Sequence, residues 1–185
     1  MSSTTIKSVW PGERADDIEE LRNSHGSAPV IWGDIGQRYL GCDRFGVMFG
    51  PNADKLWPLW KRQDIPVHHR SVLALTYDNV LLMKADYARA AADIRAYMKD
   101  FPPQPGYVNH WSRIAEILES NPDCPAMGFH WTSVCEDPFQ GEYNEEREDY
   151  DPPDWSKYWN MYAQLDKQAE ASNNDQSTSD NGSAK

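Results

Sequence analysis

Between Asp86 and Phe101 the apolar residues Tyr87, Ala91, Ile94, Met98 and Phe101 recur at spacings of four and three. Only an α-helix turns that spacing into one continuous face. Ala90, Ala91 and Ala92 add helix propensity. Asp86 stands where a cap belongs, and Phe101-Pro102-Pro103 closes the segment, since proline cannot continue the ladder. A helix with one apolar stripe must bury it against a second layer, so the rest of the chain has to supply a core. With 185 residues it can. A domain of this length buries roughly two-thirds of the surface its unfolded chain exposes.

The remaining elements follow from shorter signals. Ile6–Trp10 reads as a first strand, and the spacing Ala15, Ile18, Leu21 from Glu13 reads as a helix stopped at His25-Gly26. Residues 28–40 place Ile31, Ile35 and Tyr39 on one helical face, ending at Gly41. Phe45, Val47 and Phe49 alternate as a strand over 44–49. A short helix capped by Asn52 is bent or broken by Pro58. The apolar run 71–77, the turn Asp78-Asn79 and the return 80–84 predict a β-hairpin. Asn109 caps a helix with Trp111, Ile114, Ala115 and Leu118 on one side, stopped by Asn121-Pro122. Residues 126–134 alternate Met127, Phe129 and Trp131 against Gly128, His130 and Thr132, as a half-buried strand does. A last helix from Asp154 carries Trp155, Tyr158, Trp159, Tyr162, Leu165 and Ala169, an aromatic stripe that needs a surface to dock on.

Together these predict an α+β fold: a small, mainly antiparallel sheet with helices packed on one face, and a long acidic loop before a C-terminal aromatic helix. The expected domain spans residues 1–170, with the loop at 136–153. Residues 171–185, polar and of low complexity, are expected to be disordered. No apolar run approaches 18 residues, and the N-terminal stretch lacks a basic region followed by an apolar one. The expectation is therefore a cytoplasmic protein with no membrane contact. Cys42, Cys124 and Cys135 make an odd count without CxxC spacing, so no disulfide framework and no zinc knuckle is encoded.

Charge is unevenly spread. The formal net charge is -11, yet residues 1–135 carry 16 acids against 14 bases. Residues 136–154 carry 9 acids and one base. A nearly neutral body with one acidic segment lacks the basic footprint that phosphate binding requires, which argues against direct nucleic-acid contact. The segment holds Glu136, Asp137, Glu142, Glu145, Glu146, Glu148, Asp149 and Asp151, interleaved with Phe139, Tyr143 and Tyr150. Carboxylates steer a basic protein and aromatics anchor it, so these eleven residues are the candidate partner-binding set. A solvated charge run is the plain alternative. The calcium-loop pattern of alternating acids, a glycine and a glutamate at position twelve is missing.

Candidate chemistry is thinner. His68 and His69 precede the predicted strand, where an extended backbone would point them to opposite sides. His130 lies near Cys135, but period two places these two on opposite faces. These four are the candidate catalytic residues, each weighed against a structural role. His110 begins a helix, whose dipole disfavours a charged imidazole. HExxH, GxSxG, GxGxxG and the P-loop pattern are all absent. The sequence accordingly calls for no metal and no cofactor, and leaves open whether the chain is an enzyme. It predicts an acidic binding domain, monomeric or homodimeric, that neutralises a basic partner, such as an immunity protein covering a nuclease-like toxin. The alternative is a small enzyme or ligand-binding domain using His130 with His68 or His69 and nearby carboxylates.

Overall fold

The computed structural model describes residues 2–10, 12–13, 15–23, 27–42, 53–76, 80–103, 110–131, 141–152, 154 and 159–180. It is an α+β fold, as the sequence predicts. Five strands form one sheet in the order β2-β1-β4-β3-β7. They are β1 (Ser2–Val9), β2 (Asp16–Asn23), β3 (Val80–Met83), β4 (Ala126–Trp131) and β7 (Trp159–Asn160). The first four pair antiparallel, and only β7 joins β3 in parallel. The helices are α1 (Ser27–Leu40), α2 (Ala53–Leu56), α3 (Val67–Leu75), α4 (Tyr87–Asp100), α5 (His110–Glu119) and α6 (Met161–Asp180).

One face of the sheet carries Ile6, Leu21, Val80, Leu82, Met127 and Phe129 into a single core shared with the helices. The opposite face holds a small cluster of Val9, Ala15, Leu81 and Ala126. Lys7, on that face, pairs with Asp17 at 2.5 Å across β1 and β2. The core centres on α3. Every residue from His69 to Leu75 is buried. The stripe that predicts α4 is confirmed: Tyr87, Ala91 and Ile94 are buried, joined by Ala90 and Tyr97. The 3-10 turn Trp57–Lys61 directly follows α2, with Pro58 in its first turn, so this helix does not continue as α-helix past the proline.

The final helix docks through Tyr162 and Leu165 of the predicted stripe; Trp159 lies in β7, and Trp155 and Tyr158 lie outside the described residues. Tyr162 and Leu165 are buried, while Ala169 is exposed. The Tyr162 hydroxyl donates to Asp93 Oδ2 at 2.6 Å, and Ser71 Oγ donates to the same oxygen at 2.7 Å. Burial and the Asp93 carboxylate push the Tyr162 phenol well above its ordinary value. Arg89 lies over the Tyr162 ring at 4.1 Å and holds Asp166 with two hydrogen bonds. The helix starts at Met161, after β7, and runs through the polar stretch to Asp180.

Three predicted elements are corrected. The last helix starts at Met161 rather than at Asp154. The helix expected from Glu13 is the edge strand β2. Its register slips between Ile6 and Lys7, leaving Ile18 as the extra residue of a bulge. Ala15 and Leu21 therefore face opposite sides of the sheet, and with Ile18 between them at spacings of three they mimic a helical stripe. The strand expected over 71–77 is the helix α3, so there is no 71–84 hairpin. A short, wholly apolar run has no period to separate strand from helix, and here helices enclose it on all sides. Asp86 sits at the α4 cap position but makes no side-chain cap bond. The strand over 44–49, the turn Asp78-Asn79 and the cap Asn109 lie outside the described residues.

Leu82, on the core face of β3, is fully buried. Leu82→Ala should cost about 2–5 kcal/mol, read as a lower urea midpoint with an unchanged slope.

Candidate functional site

Helices α3 and α4 pack antiparallel, so the start of α3 meets the end of α4. Ser71 reaches Asp93, and one turn nearer its start α3 presents His68 and His69 to Asp100, the last residue of α4. Helical side chains lean toward the N-terminus, which lets two consecutive residues converge past the end of their own helix. The prediction that they point apart assumed extended backbone and is corrected by α3. Their ring centroids lie 4.4 Å apart.

Both Nε2 atoms meet one oxygen. His68 Nε2 is 2.7 Å and His69 Nε2 2.8 Å from Asp100 Oδ2. On its other side His69 Nδ1 is 2.6 Å from the Tyr39 hydroxyl, carried by α1. A carboxylate only accepts, so the neutral His69 ring carries its proton on Nε2 and accepts a hydrogen bond from the Tyr39 hydroxyl at Nδ1. Aromatic rings wall it in: Phe101 at 5.0 Å and Tyr97 at 6.0 Å. The Arg38 guanidinium covers Phe101 at 4.3 Å. Tyr97 is fixed in turn by donating to Asp34 Oδ2 at 3.0 Å.

Burial divides the cluster into a fixed part and a reachable part. The His69 side chain is 1% exposed, while His68 is 24% and Asp100 42% exposed. Burial holds the His69 imidazole below its usual value, and this outweighs the pull of the Asp100 carboxylate. The hydrogen bonds from His68 and then His69 hold the Asp100 carboxyl below the ordinary carboxylate range. Burial raises the Tyr39 phenol, against the opposing effect of Arg38.

The other predicted residues land elsewhere. His130 occupies a β4 position opposite Thr5, and its side chain lies outside the described residues, as do Cys135, Glu136, Asp137 and Phe139. The rest of the acidic segment is a small hairpin of β5 (Tyr143–Asn144) and β6 (Asp149–Tyr150). Asn144 Oδ1 accepts from the backbone N–H of Glu146 and Arg147, Glu148 takes a positive φ of 51°, and Asp151 N donates to Glu142 O at 2.7 Å. A Cβ at Gly141 would collide with the Asp151 carbonyl, so that closure needs glycine. Tyr143 stacks edge-on against Tyr150 at 5.2 Å and remains 54% exposed. Glu142, Glu145, Glu146, Glu148 and Asp149 are exposed, and Arg147 pairs with Asp151.

Asp100 and Tyr39 are the site residues that the sequence reading missed. Asp100 carries a readable signal, since a carboxylate ending a helix stands against the dipole there. Among the described residues no helix is long and apolar enough to cross a membrane. The chain matches no family model, no curated protein and no solved structure.

His69 accepts charge only below the usual histidine value, with His68, Asp100, Tyr39 and Arg38 as the groups facing it. The unfolded chain takes the proton first, so this contribution to stability is whole above about pH 6.5 and is lost on acidification. His69→Gln should therefore cost most at pH 7.5, and the gap in urea midpoint from the native chain should narrow toward pH 5.5. A constant gap would refute this.

Proposed function

We propose that this chain is a ligand-binding domain whose working site is the cluster of His68, His69 and Asp100. The observation that carries the reading is the convergence of two imidazole nitrogens on one partly exposed carboxylate oxygen. The buried His69 serves the fold as a junction between helices, but the partly exposed His68 on the same oxygen is not needed for that. The helix dipoles are opposed twice, with imidazoles at the positive end of α3 and a carboxylate at the negative end of α4. A buried, doubly hydrogen-bonded His69 backs a reachable His68, which suits a site that holds a small polar ligand or ion. His130, part of the sequence-based alternative, is not needed for it.

The test uses the full chain and five probes: inorganic phosphate, acetate, an aliphatic amine, zinc chloride and magnesium chloride. At least one should shift the His69 ring nitrogen signals saturably in NMR, and His68→Ala should remove that response. Shifts that survive His68→Ala, or no shift with any probe, would defeat the reading.

A second reading is favoured by the exposed Tyr143. A fixed aromatic pair ringed by five exposed carboxylates has the make-up of a docking surface for a basic protein, as an immunity or inhibitor protein would need. Partners captured at low salt and released at high salt would be purified and their affinity measured. Tyr143→Ala should weaken binding by at least about tenfold, the scale of an interface hot spot. Replacing Glu142, Glu145, Glu146, Glu148 and Asp149 by their amides should flatten the salt dependence. Unchanged affinity and salt response in both variants would remove this reading.

A further inference from the structure

We propose that His68 Nε2, His69 Nε2 and Asp100 Oδ2 together bind one divalent first-row transition-metal ion, with zinc as the reference case, leaving positions open on the solvent side. This rests on reading the cluster as a ligand site. Among the described residues it is the group of histidine, cysteine and carboxylate side chains whose donor atoms come within 4.8 Å of one another.

The donor set decides the class of ion. Two imidazoles with one carboxylate suit zinc, cobalt, nickel or ferrous iron, whereas calcium and magnesium prefer all-oxygen shells. Three protein ligands fall short of a closed tetrahedral shell, so water or a further ligand would complete the coordination.

The geometry lies close to what binding requires. With metal–ligand bonds of about 2.0–2.2 Å, neighbouring donors sit roughly 2.9–3.4 Å apart. The nitrogens are now 2.7 and 2.8 Å from Asp100 Oδ2. Relative to that oxygen each imidazole has to back away by only a few tenths of an ångström, and the two nitrogens lie within 4.8 Å of each other, which a rotation of the partly exposed His68 ring can close. The packing of α3 on α4 is fixed one turn away by Ser71 on Asp93, so the three donors are brought together before any ion arrives.

The protons also balance. A ring nitrogen that binds metal must give up its hydrogen, and a neutral imidazole does so by carrying its one proton on Nδ1. Asp100 is already a carboxylate. On His69 the change reverses the bond to Tyr39, whose hydroxyl turns from donor to acceptor and then orients the ring. That is the outer partner a metal-bound histidine ordinarily has. Charge is mixed: Arg38 and the N-terminus of α3 oppose a cation, while Asp100 and the C-terminal end of α4 favour it.

The experiment takes the full chain, freed of metal by a chelator, and titrates it with cobalt(II) chloride, followed by its visible absorption. Zinc chloride then serves as competitor. One equivalent of cobalt should develop the band and zinc should displace it, while excess magnesium chloride should do neither. His68→Ala and Asp100→Ala should each weaken binding by more than about tenfold, and Tyr39→Phe by about tenfold. His68 is partly exposed, so its variant should keep the native urea midpoint to within a few tenths molar. Asp100→Ala leaves the buried His69 Nε2–H unanswered and should lower the midpoint. Asp100→Asn, which keeps an acceptor oxygen there, is therefore titrated beside it and should lose cobalt binding by the same margin. Binding that persists in both ligand variants places the ion elsewhere and overturns the inference. If cobalt and zinc fail while phosphate or acetate shifts the His69 ring signals, the metal assignment falls and the ligand site stands. If every probe fails, both fall.

Discussion

The structure depends on the enclosure of α3. Its nine residues are met by α1, α4, α6 and the 3-10 turn before it, and from His69 to Leu75 no side chain reaches solvent to any extent. A helix without a solvated face has nowhere to leave a polar group, so each one must be answered by a neighbour or left at a cost. Ser71 is answered by Asp93, and through that carboxylate the final helix is tied on by Tyr162. His69 is answered by Tyr39 and Asp100, which ties the end of α1 and the end of α4 to the same point. Arg70 is answered least: its Nε and Nη1 find no hydrogen-bond partner, and burial lowers its pKa. Two of the three polar residues in this buried run thus act as junctions between helices.

The same enclosure explains which parts of the fold could be read from sequence. The stripe of α4 is legible because one side of that helix is solvated, so Arg89 and Lys99 interrupt its apolar residues at helical spacing. The stripe of α5 is legible for the same reason. In α3 the run Val72-Leu73-Ala74-Leu75 is buried on every side, and a pattern that never alternates carries no period. The β-branched Val72 then tips a local reading toward strand, and tertiary packing overrides it. For β2 the signal was present but displaced. A bulge at Ile18 shifted the alternation by one residue, and no local feature of the sequence marks it.

With 71–77 taken as a strand, the site cannot be assembled from sequence. His68 and His69 were visible as candidates, but on a strand they diverge, and no rule would have paired them with Asp100 about thirty residues on. On a helix they fall in the first turn after Pro66, whose carbonyl accepts from the N–H groups of His69 and Arg70. The antiparallel return of α4 then fixes the partner: whichever residue ends that helix must face them. Asp100 ends it, ahead of Phe101-Pro102-Pro103. The acidic hairpin was legible in charge and composition but not in shape, because its form rests on the Asn144 turn, the left-handed Glu148 and the closeness of Gly141 to Asp151.

The two candidate surfaces differ in what holds them. The hairpin is joined by two short strands and one side-chain turn, and its carboxylates face water, where each is screened and separately weak. In the proposed docking role it would act through summed charge on a partner's approach. The histidine cluster is built the other way. Its charge is small and local, but a wall of Tyr97, Phe101 and Tyr39 fixes the inner ring, and low local polarity strengthens every interaction made there. Asp100 is the one group that both histidines share, and it lies at the boundary between the buried wall and solvent. A ligand arriving there competes with two hydrogen bonds to one oxygen, an arrangement in which each bond weakens the other's hold on that oxygen. Displacement is easier than it would be from two separate acceptors, and the proposed ligand site rests on this although its inner half is part of the core.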